Sequence, residues 1–320
     1  MTKKVLITGI SGFAGSYLAE HLVSRNDLTI HGTYLKESSL SNINHIVNKI
    51  NLEKINLLDN KDVDSLIDRV KPDLIFHLAA LTSPSDSFKT PVETITNNIA
   101  AEVNLLEAVH LSKLLDSKIL IVSSAETYGK VDKDDLPIDE NTKFTPTNPY
   151  SVSKIAQDFL GLQYFLSYKL QIIRVRPFNH IGPRQSPGFV VPDFAKKIVE
   201  IEKGRREPIL KVGNLESKRD FTDVRDMVIA YDLLLKKGVP GDVYNVGSGS
   251  SHKISEILDL LLSFSNIKIK IEVDPTLLRS FDTPELVCDN TKFFKLTNWK
   301  PKIELSRTLK EILDYWRSLV

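Results

Sequence analysis

Two clusters of residue types in this 320-residue chain are spaced for redox chemistry at a carbon–oxygen bond. The first is Thr8-Gly9-Ile10-Ser11-Gly12-Phe13-Ala14-Gly15, directly after the apolar run Val5-Leu6-Ile7. Three glycines between a strand and a helix let the backbone turn tightly and approach phosphates, and the helix N-terminus supplies N–H donors and partial positive charge. The second is Ser123-Ser124 with Tyr150 and Lys154. Tyr150 and Lys154 are four apart, so on a helix they share one face. A free tyrosine has a pKa of about 10, too high for an efficient proton relay near neutrality. One ammonium at ~4 Å, in an effective dielectric of ~20, is worth roughly 4 kcal/mol, or about three pK units, which is the shift required. Ser124, at the end of an apolar run, is suited to hydrogen-bond a carbonyl oxygen. Lys154 can also hold ribose hydroxyls. In this order and at this separation, the two clusters specify a nicotinamide-dependent enzyme acting on a C–OH/C=O centre.

Other positions follow from that geometry. The end of the second strand should meet the adenosine ribose, where an acidic residue would favour NAD. The stretch here is Gly32-Thr33-Tyr34-Leu35-Lys36-Glu37-Ser38, whose first positions lack a carboxylate. Lys36 and Ser38 can hold a 2′-phosphate, with Thr33 nearby, so NADP(H) is expected over NAD(H). His77-Leu78-Ala79-Ala80-Leu81-Thr82 ends a buried run in small residues, so Leu78, Ala79, Ala80 and Thr82 are expected against the cofactor backbone.

These residues need a scaffold. Strand-like runs at Val5–Thr8, Thr29–Tyr34, Asp73–Leu78, Lys118–Ser123 and Leu170–Arg176 alternate with helix-like ones at Ala14–Val23, Asn98–Leu115 and Tyr150–Tyr168. That alternation predicts an α/β fold, a parallel sheet with helices on both faces and ligands beyond the strands' carboxyl ends. From Arg176-Pro177 the texture changes to more Pro, Gly and charge, with Asp242–Val246 expected to rejoin the sheet. The expected division is 1–176 with about 222–247 for the cofactor, and 177–221 with 248–320 as a smaller α/β substrate domain.

Composition excludes several classes. With 42% hydrophobic and 26% charged residues the chain is globular, and a formal net charge of +1 gives no general field for nucleic acid or membrane surfaces. Cys288 is the only cysteine, which rules out an intrachain disulfide and a cysteine-based metal site, and the seven histidines show no metal-ligand pairing. No metal is expected. No apolar run reaches the ~20 residues of a membrane span, and no secretion signal is apparent, so a cytoplasmic protein is expected.

Thr8-Gly9-x-x-Gly12-Phe13-x-Gly15, Tyr150-x-x-x-Lys154 and Trp299-Lys300-Pro301 resemble the extended short-chain dehydrogenase/reductase family over the whole chain. The resemblance implies a Rossmann-type cofactor domain, a C-terminal nucleotide-sugar domain, and a homodimer through paired helices, here 98–115 and 150–168. A narrower resemblance lies in Arg176-Pro177-Phe178-Asn179-His180-Ile181-Gly182-Pro183-Arg184-Gln185, Gly188-Phe189-Val190, Lys211–Glu216 and Arg219–Val224. These look like reductases of GDP-4-keto-6-deoxy-D-mannose, with the GDP-mannose 4,6-dehydratases as neighbours. It implies substrate contacts at Ser124, Asn179, Val190, Lys197, Arg219, Arg279 and Asp282. It places His180 and Arg184 on the cofactor side, and Asn56, followed by Leu57, at the adenine.

Two positions depart from the pattern. Asn56 stands where an aspartate usually accepts from adenine N6–H, and Ser280 replaces a proline ahead of Asp282. Glu126 occupies the place of a dehydratase base, so dehydration of GDP-mannose is the alternative to C4 reduction. A 4-epimerase, or a silent NADP-binding sensor, is a more distant alternative.

Overall fold

The structure, a computed structural model, describes residues 2–278 and 283–320. Its first half runs β1 (Lys3–Thr8), α1 (Phe13–Val23), β2 (Leu28–Tyr34), β3 (Asn51–Lys54), α2 (Asn60–Val70), β4 (Leu74–His77), α3 (Pro84–Ser87), α4 (Pro91–Leu111), β5 (Lys118–Val122) and α5 (Pro149–Tyr168). The second half runs β6 (Gln171–Pro177), β7 (Asn179–Ile181), α6 (Val190–Glu202), β8 (Ile209–Val212), β9 (Lys218–Asp223), α7 (Val224–Lys237), β10 (Val243–Val246), β11 (Ser251–Lys253), α8 (Ile254–Ser263), β12 (Lys270–Val273), β13 (Glu285–Leu286), α9 (Thr291–Thr297) and α10 (Leu305–Leu319).

Seven strands form one parallel sheet in the order β10-β6-β5-β4-β1-β2-β3. Val5, Leu6 and Ile7 are wholly buried because a parallel sheet is covered on both faces. On one face α1 and α7 pack Leu18, Leu22, Met227 and Tyr231 against it. On the other α2, α4 and α5 pack Leu66, Leu105, Val109 and Tyr164. The strand order reverses between β1 and β4, and in such sheets the ligand crevice lies at that reversal.

The remaining strands build a second layer. β9 pairs with β7, β11 and β13, and β8 pairs with β12. Helices α6, α8 and α10 close a separate core around Phe194, Leu258, Leu313 and Trp316. β10 joins the main sheet beside β6, as the sequence suggests. Two boundaries differ from expectation. Helix α4 begins at Pro91, seven residues before Asn98, because proline at the first helical position has no N–H to satisfy and a suitable φ. It stops at Leu111 because Lys113 turns left-handed, with φ 55°.

Candidate functional site

The phosphate end is built by the β1–α1 turn. Gly9 has φ +70°, and a Cβ there would lie 3.0 Å from the Ala79 Cα. A Cβ on Gly15 would lie 2.2 Å from the Gly9 carbonyl oxygen. Gly12 precedes α1 and offers no capping side chain, so the first N–H groups of the helix remain for a ligand. Thr8 ties the turn to the next strand, its hydroxyl accepting from the Leu78 and Ala79 N–H groups at 3.2 and 3.3 Å. Asn98 braces the other side, bonding both the N–H and the carbonyl of Leu81. This cradle tolerates no side chain at its tightest points, which fits a dinucleotide pyrophosphate.

At the end of β2, Thr33 and Lys36 line the same cavity. Glu37 is turned aside, 3.3 Å from the Lys54 ammonium, and does not line it. Ser39, rather than the expected Ser38, lines the cavity, its hydroxyl 2.6 Å from that of Ser11. A cation with two hydroxyls and no facing carboxylate suits a 2′-phosphate. Asn56 and Leu57, expected at the adenine, line the same cavity, and the Asn56 side-chain oxygen already accepts from the Leu58 N–H at 3.1 Å. Its second lone pair remains for a further donor.

The catalytic cluster rests on the start of α5. Asn148 caps the helix by accepting from the Ser151 N–H at 2.8 Å, and Pro149 takes the first helical position. Tyr150 and Lys154 then point into the site, 93% and 96% buried, with the Lys154 Nζ 6.0 Å from the Tyr150 ring centre. Burial pushes the Tyr150 phenol up; the Ser124 hydroxyl beside it opposes this, and the Glu126 carboxylate adds to it. The expected depression of Tyr150 by Lys154 is therefore not realised in this arrangement. The ammonium is turned away, donating to the Val122 carbonyl and the Gln157 Oε1, both at 2.8 Å. Its third N–H remains for a ribose hydroxyl. Burial pulls Lys154 down to about 8, with Glu102 resisting. The Ser124 oxygen accepts from the Glu126 N–H at 3.1 Å, which leaves its proton for an oxygen placed between Ser124 and Tyr150.

One cavity of about 1170 Å3 joins all these groups to the second layer. It is lined by Gly9, Ser11, Gly12, Phe13, Ala14 and Gly15, by Leu78, Ala79, Ala80 and Thr82, and by Ser124, Glu126, Tyr150 and Lys154. Asn179, His180, Val190, Lys197 and Arg219 line its far part. The His180 ring stacks on Phe13 at 5.9 Å and is held neutral by burial. The Arg219 guanidinium donates to the Lys218 and Thr283 carbonyls at 2.8 Å.

Arg184 corrects the expectation of a cofactor contact. It does not line the cavity; its guanidinium bonds Glu20 and the Asn42 carbonyl and stacks over Tyr17. Arg279 and Asp282 lie outside the described residues. Sequence reasoning missed Tyr231 and Glu102. Tyr231 lines the cavity with a buried, unpartnered hydroxyl; Glu102 lies behind Lys154. Among the described residues no cluster could hold a metal ion, and no helix is long and apolar enough to cross a membrane.

Comparison with known proteins shows the family. A model of the GDP-mannose 4,6 dehydratase family matches residues 6–312. The GDP-6-deoxy-D-mannose reductase of Pseudomonas aeruginosa is 33% identical, covering 100% of this chain and 99% of that one. GDP-mannose 4,6 dehydratase 2 of Arabidopsis thaliana is 32% identical over 98% of this chain and 86% of its own. Among solved structures, RMD from Pseudomonas aeruginosa complexed with NADPH has a TM-score of 0.87 at 32% identity, covering 100% of both chains. UDP-glucose 4-epimerase from Thermotoga maritima with UDP-glucose has a TM-score of 0.89 at 26% identity, covering 99% of each.

Proposed function

We propose that this chain, which belongs to the GDP-mannose 4,6-dehydratase family within the extended short-chain dehydrogenase/reductases, reduces the C4 ketone of GDP-4-keto-6-deoxy-D-mannose with NADPH. The product is GDP-D-rhamnose (GDP-6-deoxy-D-mannose). The observation that carries the reading is the shared cavity: the glycine turn, the Ser124–Tyr150–Lys154 cluster and the second-layer residues all open on it. NADP(H) is the cofactor, and its reduced nicotinamide supplies the hydride when bound. Gly9, Gly12 and Gly15 admit the pyrophosphate, Lys36 and Ser39 take the 2′-phosphate, and Asn56 takes the adenine.

Ser124 donates to the C4 oxygen and orients the ketone. Tyr150, neutral and buried, gives its proton to that oxygen as charge develops there. Lys154 holds the ribose and restores the tyrosine proton. Asn179, Lys197 and Arg219 serve the nucleotide-sugar end, where guanidinium and ammonium groups suit a diphosphate.

We assign a homodimer and a cytoplasmic location to the same reading. Val92, Leu111, Phe159 and Leu166 leave an exposed apolar face along α4 and α5, which supports pairing through these helices. Cys288, the single cysteine, has no partner for an intrachain disulfide, which suits a reducing compartment.

Glu126 favours a second reading, dehydration of GDP-mannose, because its carboxylate lies in the cavity close enough to Tyr150 to raise it. One experiment separates the two. Purified protein is given NADPH with GDP-4-keto-6-deoxymannose, and GDP-mannose in parallel. NADPH oxidation with the keto sugar alone supports the reductase. A keto sugar formed from GDP-mannose without net NADPH consumption would replace it with the dehydratase.

A further inference from the structure

Arg184 lies outside the cavity, but it ties together segments that shape it. From the loop between β7 and α6 its guanidinium donates to both oxygens of Glu20 on α1, at 2.5 and 3.0 Å, and to the Asn42 carbonyl at 2.9 Å. It lies 3.7 Å over the Tyr17 ring, whose hydroxyl donates to the Pro183 carbonyl at 3.1 Å. Arg184 does this from a left-handed backbone, φ 71°. An arginine holds that conformation only where its surroundings over-determine it. A lysine is no substitute, because its point-like ammonium lacks the planar fork that serves a carboxylate and a carbonyl together.

Asn42 closes the short 3-10 turn Glu37–Asn42, which follows Lys36 and contains Ser39. No residue of this turn is buried, and no side chain caps its start. Ile43, next in the chain, is wholly buried. Apolar burial is non-directional, so it fixes where the turn ends but not which way it faces. Hydrogen bonds are directional and supply what is missing. Asn42 is held twice, its carbonyl by Arg184 and its side-chain amide by donating to the Ser11 carbonyl at 2.9 Å. Ser39 is held through its hydroxyl, 2.6 Å from that of Ser11 and 2.6 Å from the Lys36 carbonyl. Of these ties, only the one from Arg184 comes from outside the glycine turn and the 3-10 turn themselves.

We propose that Arg184 is a positioning residue for the 2′-phosphate of NADP(H). It does not touch the cofactor; through Asn42 it fixes the facing of the turn that presents Lys36 and Ser39, and so favours NADP(H) over NAD(H). This rests on the placement of the 2′-phosphate at Lys36 and Ser39 given above. Glu20 has a second partner, the His45 Nε2 at 2.7 Å, so removing Arg184 does not leave that carboxylate alone.

The test is a double-mutant cycle on the full-length protein, with NADPH and NADH affinities read by calorimetric titration. Arg184→Gln should raise the Kd for NADPH roughly 5- to 10-fold and that for NADH less than about twofold. Lys36→Ala should cost less in the Arg184→Gln background than in wild type, because there the turn has already lost its facing. Arg184→Lys, which keeps the charge beside Glu20, gives the same readout should Arg184→Gln not fold. Equal losses for the two nucleotides would overturn the proposal, since a structural role alone does not tell them apart. An unchanged Kd for NADPH would also overturn it, because Ser11 would then hold the turn unaided. So would effects of Arg184→Gln and Lys36→Ala that multiply in full, because Arg184 would then act independently of the turn, by reaching the phosphate itself. The phosphate site is judged separately, by Lys36→Ala alone: equal effects on NADPH and NADH there would remove that site, and the positioning role with it.

Discussion

Glycine 15 should be the least replaceable residue of the phosphate turn, although it lies inside a helix. In an ordinary helix, Gly→Ala stabilises by about 1 kcal/mol. Here the added Cβ would lie 2.2 Å from the Gly9 oxygen and 3.0 Å from the Ile10 Cα, both backbone atoms. To reach even the 3.0 Å limit of real Cβ contacts, α1 and the Gly9–Ile10 backbone must part by 0.8 Å. Forced overpacking costs about 1–3 kcal/mol, which cancels or exceeds the helix gain. The same displacement moves the N–H groups that face the phosphates. Losing one hydrogen bond to a charged group costs about 1.5–3 kcal/mol, so NADPH should bind roughly 10- to 100-fold more weakly. Gly12→Ala is the internal control for stability alone, since its Cβ would meet the same oxygen at 3.2 Å and its φ of −69° is open to any residue. NADPH affinity is read by fluorescence titration and stability by urea unfolding. A Gly15→Ala protein that gained about 1 kcal/mol of stability and bound NADPH like wild type would refute the steric argument.

Three further outcomes follow from the site and its support. Tyr150→Phe should lower kcat by about 10²- to 10⁴-fold with NADPH affinity close to wild type; turnover retained in steady-state assays would remove the tyrosine from the proton step. Asp158→Asn leaves two buried guanidinium groups, now 2.6 and 2.8 Å from the carboxylate, without their counter-charge, and should destabilise by about 3–5 kcal/mol in urea unfolding. A loss below about 1 kcal/mol would mean that the arginines find other partners. Lys36→Ala should weaken NADPH binding by roughly 10-fold and leave NADH binding unchanged, because only NADPH carries the 2′-phosphate; equal effects on the two cofactors would exclude this contact.

What the sequence discloses here depends on the distance along the chain over which a feature is made. The glycine turn needs only Gly9 to Gly15, and the Tyr150/Lys154 pair only one helical turn, so both can be read directly. The alternation of apolar runs and helical stretches likewise predicts the parallel sheet, because each strand must be buried on both faces. Strand β3 escapes that reading: Asn51-Leu52-Glu53-Lys54 holds a single apolar residue and forms only because β2 offers it a free edge. Ser39 replaces Ser38 on the cavity wall for a comparable reason, since a short 3-10 turn over Glu37–Asn42 decides which hydroxyl faces inward.

Long-range pairing hides the rest. Arg184 sits in a motif that points to the cofactor, but its ion-pair partner is Glu20. Nothing near either residue announces that match. Glu102 lies between these cases. Asn98, Glu102, Leu105 and Val109 form one stripe of α4 and all four are wholly buried, so a carboxylate on an apolar stripe is an anomaly visible in the sequence. Its surroundings are not visible, because Lys154 and Gln157, which bond each other and the Asn98 carbonyl one turn away, come from another helix. An ionisable residue on an apolar stripe therefore signals a buried polar environment, and what fills that environment is supplied only by the packing of α4 on α5.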